Sequence, residues 1–293
     1  MLLFPPERKA ADVTCKAKDR PTVKETNYKI SKPNTVLQKY VDYFWTGEIY
    51  LNQADKNAFR HLAPASTTLD LVFFCEGHFK DNETGNKLSQ NGIIYGQKTS
   101  FDNYSTTSEK ATLFGIKLKP SVLLTTLNIP AYEITEQQID LRTLFGYSGE
   151  KLTDFILSAQ TFEERTNAFS AFLKEKLNDL NPKFQSLQRF IETINYANNF
   201  SEISKQTENN FLSQRQFERD FKSLTGLSLK RFLKLKRFEF FFEAVQSNQL
   251  NTNLTQSAYQ FGYYDQAHLN RDFKEFTGMC PKKFVRDFCT DVV

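Results

Sequence analysis

Two stretches of the chain, Phe217–Phe232 (FERDFKSLTGLSLKRF) and Leu269–Phe284 (LNRDFKEFTGMCPKKF), align at an offset of 52 residues with eight identities in sixteen positions. A repeat of that period marks one supersecondary unit used twice. Each copy opens on a residue suited to N-capping, Ser213 or Asp265, and runs to a glycine, Gly226 or Gly278, that can take the left-handed conformation ending a helix. On a helical wheel Phe217, Phe221 and Leu224 share one face, as do Leu269, Phe273 and Phe276, so both faces are expected to be buried. The opposite faces carry Arg215, Glu218, Arg219 and Lys222 in the first copy and Ala267, Asn270, Arg271 and Lys274 in the second.

Upstream of each of these helices lies another short helical stretch, Ser201–Glu208 or Leu254–Gln260, joined in the second copy by the turn Phe261-Gly262-Tyr263. Helix, glycine turn, helix is the helix-turn-helix layout. It suits DNA because a major groove about 12 Å wide admits one helix, whose outward Arg, Asn or Gln can pair with base edges while Lys meets phosphate. The candidate contact set is therefore Arg215, Gln216, Glu218, Arg219, Lys222, Ala267, His268, Asn270, Arg271 and Lys274. His268, next to the inward Leu269, reads equally well as a capping or packing group. A lone surface arginine means little, but Arg219 and Arg271 occupy equivalent positions on duplicated helices.

Working outward, Leu229–Val245 reads as a long helix joining the two copies, and the Asn181-Pro182 step ahead of them is a natural break. The chain of 293 residues is long enough for two domains. We expect a loose extension over residues 1–27, a sheet domain with C-terminal helices over 28–182 and an all-helical domain over 183–293. Thr68–Cys75, Gly92–Gly96 and Ala111–Leu118 are short apolar runs bounded by turn residues, pointing to an antiparallel sheet or small barrel. Thr161 with Glu164 forms a capping-box signature ahead of a helical run through Phe169, Phe172 and Leu173. The fold class is α+β.

The net charge of +4 resides in the last third: residues 183–293 hold 16 Lys and Arg against 12 Asp and Glu, whereas the remainder is balanced. Phe221–Phe238 carries six basic and no acidic residues, for which a solvated helix face is the plain explanation and nucleic acid the sharper one. The 29 phenylalanines supply buried area and no chemistry. The N-terminal apolar stretch is too short and too soon broken by proline for a signal peptide, no run approaches membrane-spanning length, and the four cysteines form no Cys-x-x-Cys pair; a cytoplasmic protein with reduced thiols is expected.

Leu254–Arg286, through Ser257-Ala258, Phe261-Gly262-Tyr263, Asp265, His268-Leu269, Arg271, Phe273-Lys274, Gly278, Pro281 and Phe284, resembles the second helix-turn-helix signature of AraC-type (AraC/XylS family) transcription regulators. Residues 183–290 resemble that family's whole seven-helix binding domain, except that the first positioning segment, SEISKQTENNFLS, is more polar and longer. The N-terminal part is similar to the sheet domain preceding this module in one subgroup, through Pro33, Leu37, Tyr40-Val41, Trp45, Leu69–Phe73, Gly96, Gly115–Pro120 and Ile129-Pro130. The resemblance implies a partial, cupin-like barrel ahead of two recognition helices in successive major-groove segments of double-stranded DNA. RNA polymerase, a small-molecule effector and a second copy of the chain are the further partners it implies.

Two other classes remain open from the residues alone: an enzyme with an unrecognised N-terminal site, and a helical adaptor that binds no DNA. With His61 and His78 the sole histidines of the N-terminal part, neither a metal nor another cofactor is expected. Cys75 and His78 have no recognisable catalytic spacing, and Cys75 lies in an apolar run. The adaptor would need an exposed apolar helix face, which intradomain packing consumes.

Overall fold

The computed structural model describes residues 23–51, 59–88, 90–179, 181–195, 213–246 and 258–288. Its first half is built from β1 (Val23–Ser31), β2 (Val41–Leu51), β3 (Phe59–Ala63), β4 (Leu69–Glu76), β5 (Phe79–Asp81), β6 (Lys87–Leu88), β7 (Gly92–Tyr95), β8 (Asp102–Thr106), β9 (Lys110–Leu118) and β10 (Gln138–Asp140). One sheet runs β1-β2-β9-β4-β7-β10 and the other β3-β8-β5-β6, with antiparallel pairing throughout. The sheets face each other across Trp45, Val72, Phe74, Ile93 and Leu113 on one side and Phe59, Phe79 and Tyr104 on the other.

The outer face of the larger sheet is buried too. Phe44, Leu71, Phe73, Phe114 and Ile116 pack under α1 (Ser121–Thr126), α3 (Tyr147–Ser158) and α4 (Phe162–Lys176), through Val122, Ile156, Phe169 and Leu173; α2 (Leu141–Phe145) precedes α3. A central strand covered on both faces loses its alternation, which is why β4 reads as a nearly continuous apolar run. Thr161 and Glu164 form the expected reciprocal capping box of α4. β1 begins at Val23, inside the stretch expected to be a loose extension. It is a polar edge strand paired with β2 over Asn27↔Glu48 and Ile30↔Trp45, and an edge strand with little apolar content leaves only a weak sequence signal.

The second half is helical: α5 (Pro182–Asn195), α6 (Gln214–Thr225), α7 (Leu229–Gln246), α8 (Gln266–Thr277) and α9 (Pro281–Phe288). Ser201–Glu208 lies outside the described residues, as does all of Leu254–Gln260 except 258–260. The duplicated apolar faces meet as expected. Phe217, Phe221 and Leu224 of α6 and Leu269, Phe273 and Phe276 of α8 join one core with Phe232, Phe238, Phe241 and Phe242 of α7. Phe238 is T-shaped to Phe273, and Phe221 to Phe232, so aromatic edges meet ring faces around the joining helix.

The two halves dock tightly. Leu62 and Ala65 of the sheet unit enter the helical core, and the Ala65 amide donates to the Phe276 carbonyl at 3.1 Å. Glu239 of α7 accepts from the Thr67 amide (2.6 Å) and hydroxyl (3.0 Å) while pairing with Lys236 (2.9 Å). The fully buried Gln97 donates to the Thr225 carbonyl (2.8 Å), and Arg231 donates to the Thr99 carbonyl (3.0 Å).

Candidate nucleic-acid interface

α6 and α8 share one construction. Ser213 and Asp265 accept from the backbone amides of Gln216 and His268, closing each N-terminus. Gly226 (φ 80°) and Gly278 (φ 76°) end the helices in the left-handed region, each amide donating to a lysine carbonyl, Lys222 or Lys274. Ahead of α8, Gly262 (φ 75°) makes the turn: its amide donates to Tyr259 and that of Tyr263 to Ala258, both at 3.0 Å. This paired pattern terminates a helix and starts the tight turn of the motif.

Between these caps one face is buried and the other open. On α6, Arg215, Gln216, Glu218, Arg219 and Lys222 are exposed; on α8, Ala267, Arg271 and Lys274 are exposed, with His268 and Asn270 half-buried. The faces differ in how their cations are held. Arg219 donates to the Gln216 side chain and lies 3.9 Å from Asp220, and the Lys222 ammonium stands 5.5 Å from the Tyr132 ring centroid in the sheet unit. The side chains of Arg271 and Lys274 make no hydrogen bond or ion pair among the described residues. Glu218 accepts from Gln214.

A second duplicated feature lies behind these faces. Asp220 and Asp272, equivalent in the repeat, are both buried. Each meets the side chain one turn earlier, Gln216 to Asp220 and His268 to Asp272 (3.5 Å), and a lysine of a neighbouring helix, Lys183 of α5 at 3.7 Å or Lys234 of α7 at 3.3 Å. Gln216 and His268 are thus partly committed to orienting their own helices. The His268 ring also receives the Tyr264 amide on Nδ1 at 3.5 Å. The signal for these aspartates was the Arg-Asp-Phe triplet identical in both copies, with Asp directly before the inward phenylalanine.

Most of the basic run of α7 is engaged with other side chains, while Lys230 is exposed. Arg231 and Lys234 converge on Glu275 of α8, whose carboxyl they hold below its ordinary range against the opposing effect of burial. Lys236 pairs with Glu239, and the Arg237 guanidinium lies 5.4 Å from the Tyr263 ring centroid. Arg231, Lys234 and Arg237 thus cross-link the joining helix to its neighbours, while Lys236 steadies Glu239 on the same helix.

In the sheet unit Cys75 is pushed up by burial, the reverse of an activated thiol. His78 meets Ser108 at 3.1 Å, and the buried His61 stacks on Tyr104. Among the described residues no His, Cys, Asp or Glu cluster could hold a metal ion, and no helix is long and apolar enough to cross a membrane.

Residues 208–287 match the family described as a helix-turn-helix domain, and residues 29–140 match a domain of unknown function, DUF6597. No curated protein matches the chain. Among solved structures the chain is similar to ToxT from Vibrio cholerae O395, with 13% identity over 92% of this chain and 98% of that one at a TM-score of 0.43. It is also similar to unsaturated fatty acid-bound wild-type ToxT from Vibrio cholerae strain SCE256, with 12% identity over 94% and 99% of the two chains at a TM-score of 0.43. Residues 208–287 are thus similar to a helix-turn-helix domain, the part of the chain that holds α6, α7 and α8.

Proposed function

We propose that the chain acts in the cytoplasm, recognising a specific double-stranded DNA site with α6 and α8 and reporting the occupancy of a cavity in its sheet unit. The observation that carries the DNA reading is the duplicated pair of capped helices, each with an exposed arginine and a lysine one turn on. Arg271 reads base edges, being uncommitted to other side chains, while Lys222 and Lys274 meet phosphate. Arg219 is the weaker reader because it is held by Gln216 and Asp220. The two helices address major-groove segments roughly 10 base pairs apart.

Losing a bidentate arginine–guanine contact costs about 1–3 kcal/mol and relaxes preference at one base pair, whereas losing a phosphate contact weakens all sequences alike and lowers the salt slope by about one ion. Selection from a random DNA library followed by salt-titrated binding tests the assignment. Arg271→Ala should lose specificity and keep most non-specific binding; Lys274→Ala should do the reverse. Sequence preference that survives Arg219→Ala and Arg271→Ala together refutes the reading.

The second half of the proposal rests on a small, partly open hollow between the two sheets, walled by Trp45, Phe74, Phe79 and Leu113. Ligand sites are mostly apolar hollows with a few placed polar groups. The segment leading out of β3 lines it with Pro64 and Ser66, and the same segment meets the helical unit through Ala65, Thr67 and the Ser66 hydroxyl, which donates to Glu239 at 3.3 Å. A segment that touches both the hollow and Glu239 gives an occupant a direct mechanical route to α7.

A further inference from the structure

α6 and α8 both end against the sheet unit, and both end at one short segment, residues 97–101 between β7 and β8. The glycines that close them, Gly226 and Gly278, are equivalent in the repeat, and a β-carbon at either would collide with this segment, 2.7 Å from the Gln97 side chain at the first and 2.4 Å from the Phe101 ring at the second. The fully buried Gln97 donates to the Thr225 carbonyl at 2.8 Å, and its side-chain oxygen accepts from the Thr135 hydroxyl at 3.1 Å. Between the two glycine contacts, the Thr99 carbonyl accepts from Arg231 in the first turn of α7 at 3.0 Å. The segment is itself held stiff. The Lys98–Asp102 ion pair spans it at 3.0 Å, Glu136 accepts from the Thr99 amide at 2.7 Å, and Ser66 and Lys98 exchange backbone hydrogen bonds at 2.9 and 3.2 Å. That last bridge ties it to Ala65, whose amide donates to Phe276 near the end of α8.

The phenylalanine core around α7 supplies the cohesion between α6 and α8, but apolar attraction is non-directional, whereas hydrogen bonds have preferred distances and angles. Residues 97–101 add such directed contacts, and add them at the same end of each repeat. Taking α6 and α8 as the two DNA-recognition helices, a reading on which this rests, we propose that the 97–101 segment is a brace that fixes the distance and twist between them, so that the sheet unit sets which spacing of half-sites the chain accepts. Gln97 and Phe101 are positioning residues, acting through the helix ends they hold. Moving one half-site by a single base pair displaces it by about 3.4 Å and turns it by about 35° around the DNA axis. A braced pair of helices cannot follow that change, and a pair joined through α7 alone can adjust to it.

The test uses the full chain, the DNA site selected from a random library, and the same site with one base pair inserted or removed between its half-sites. At fixed salt the wild type should bind the altered sites about tenfold or more weakly, the loss of at least one arginine–base contact. Gln97→Ala and Phe101→Ala should remove most of that penalty while keeping the base preference within each half-site. Phe101→Leu, which keeps an apolar contact at Gly278, should restore it. Ile156→Val loosens the core under the outer face of the larger sheet, away from the brace, and should leave the penalty unchanged, which separates positioning from lost stability. A penalty retained in folded Gln97→Ala and Phe101→Ala, a wild type indifferent to spacing, or a selected site with one half-site overturns the brace and leaves DNA recognition by α8 standing. Sequence preference that survives Arg219→Ala and Arg271→Ala together removes the recognition-helix reading and the brace with it. If Gln97→Ala does not fold, the half-buried Phe101 and its two variants decide.

Discussion

Replacing Glu239 by alanine should undo the docking of the DNA-binding unit on the sheet unit. The carboxylate lies between α7 and the segment after β3, accepts the Thr67 amide at 2.6 Å and hydroxyl at 3.0 Å, and pairs with Lys236, whose side chain is 14% exposed. Truncation strands that ammonium and the Thr67 amide in a site largely closed to water. Removing one partner of a buried pair costs about 3–5 kcal/mol, with the lost amide bond included rather than added. For a chain of this size that lowers the melting temperature by roughly 5–8 °C. Urea unfolding followed both by Trp45 fluorescence, in the sheet unit, and by far-ultraviolet helicity should show one shared transition in the wild type and two separated ones in Glu239→Ala. A double-mutant cycle with Thr67→Val isolates the contact across the units, with an expected coupling of about 1.5–3 kcal/mol for a hydrogen bond to a charged group. Additivity of the two substitutions, or a loss below about 1 kcal/mol for Glu239→Ala, would refute the reasoning.

Acid should act on the same latch. Burial alone would raise Glu239, but Lys236 and the Thr67 amide more than offset it and hold the carboxyl below its ordinary 4.5, so its contribution is present above that pH and lost as pH falls through the lower folded value. Asp70 is raised and contributes with the opposite sign in the same window, so the measurement is the difference in stability between wild type and Glu239→Gln from neutral to acid pH, which should shrink on acidification. Gly278→Ala places a β-carbon against Phe101 besides costing about 1–2 kcal/mol for the left-handed backbone; Phe101→Ala should recover the contact part in thermal unfolding and leave the backbone part. Phe273→Ala removes a fully buried ring and should cost about 3–5 kcal/mol, abolishing binding by α8 in a DNA shift assay before the sheet unit unfolds.

Much of the helical unit was legible before any coordinates. Caps at Ser213 and Asp265, terminating glycines at 226 and 278, and the inward phenylalanines are encoded within a turn or two of chain, where capping and periodicity act. The repeat made them more secure, because a pattern seen twice at one offset is hard to obtain from a surface helix. β4, β7 and β9 of the larger sheet announced themselves as apolar runs, but the edge strand β1 did not, since its residues are mostly polar and it has little apolar patterning to show.

What tertiary structure alone decided is where each charge is spent. The basic residues of α7 look on paper like a nucleic-acid surface, yet Arg231, Lys234 and Lys236 are committed to Glu275 and Glu239. Asp220 and Asp272 look like ordinary helix carboxylates, yet both are buried and hold their helices to neighbours through Lys183 and Lys234. Gly226 and Gly278 are both terminators by sequence, yet each also lies against the sheet unit, at Gln97 and Thr135 or at Phe101. Local sequence determines which backbone can cap and which face must be buried, because those energies arise within a few residues. The partner of a long charged side chain, and the surface a domain docks against, depend on groups brought together only when the chain has folded, and no periodicity along the chain encodes them.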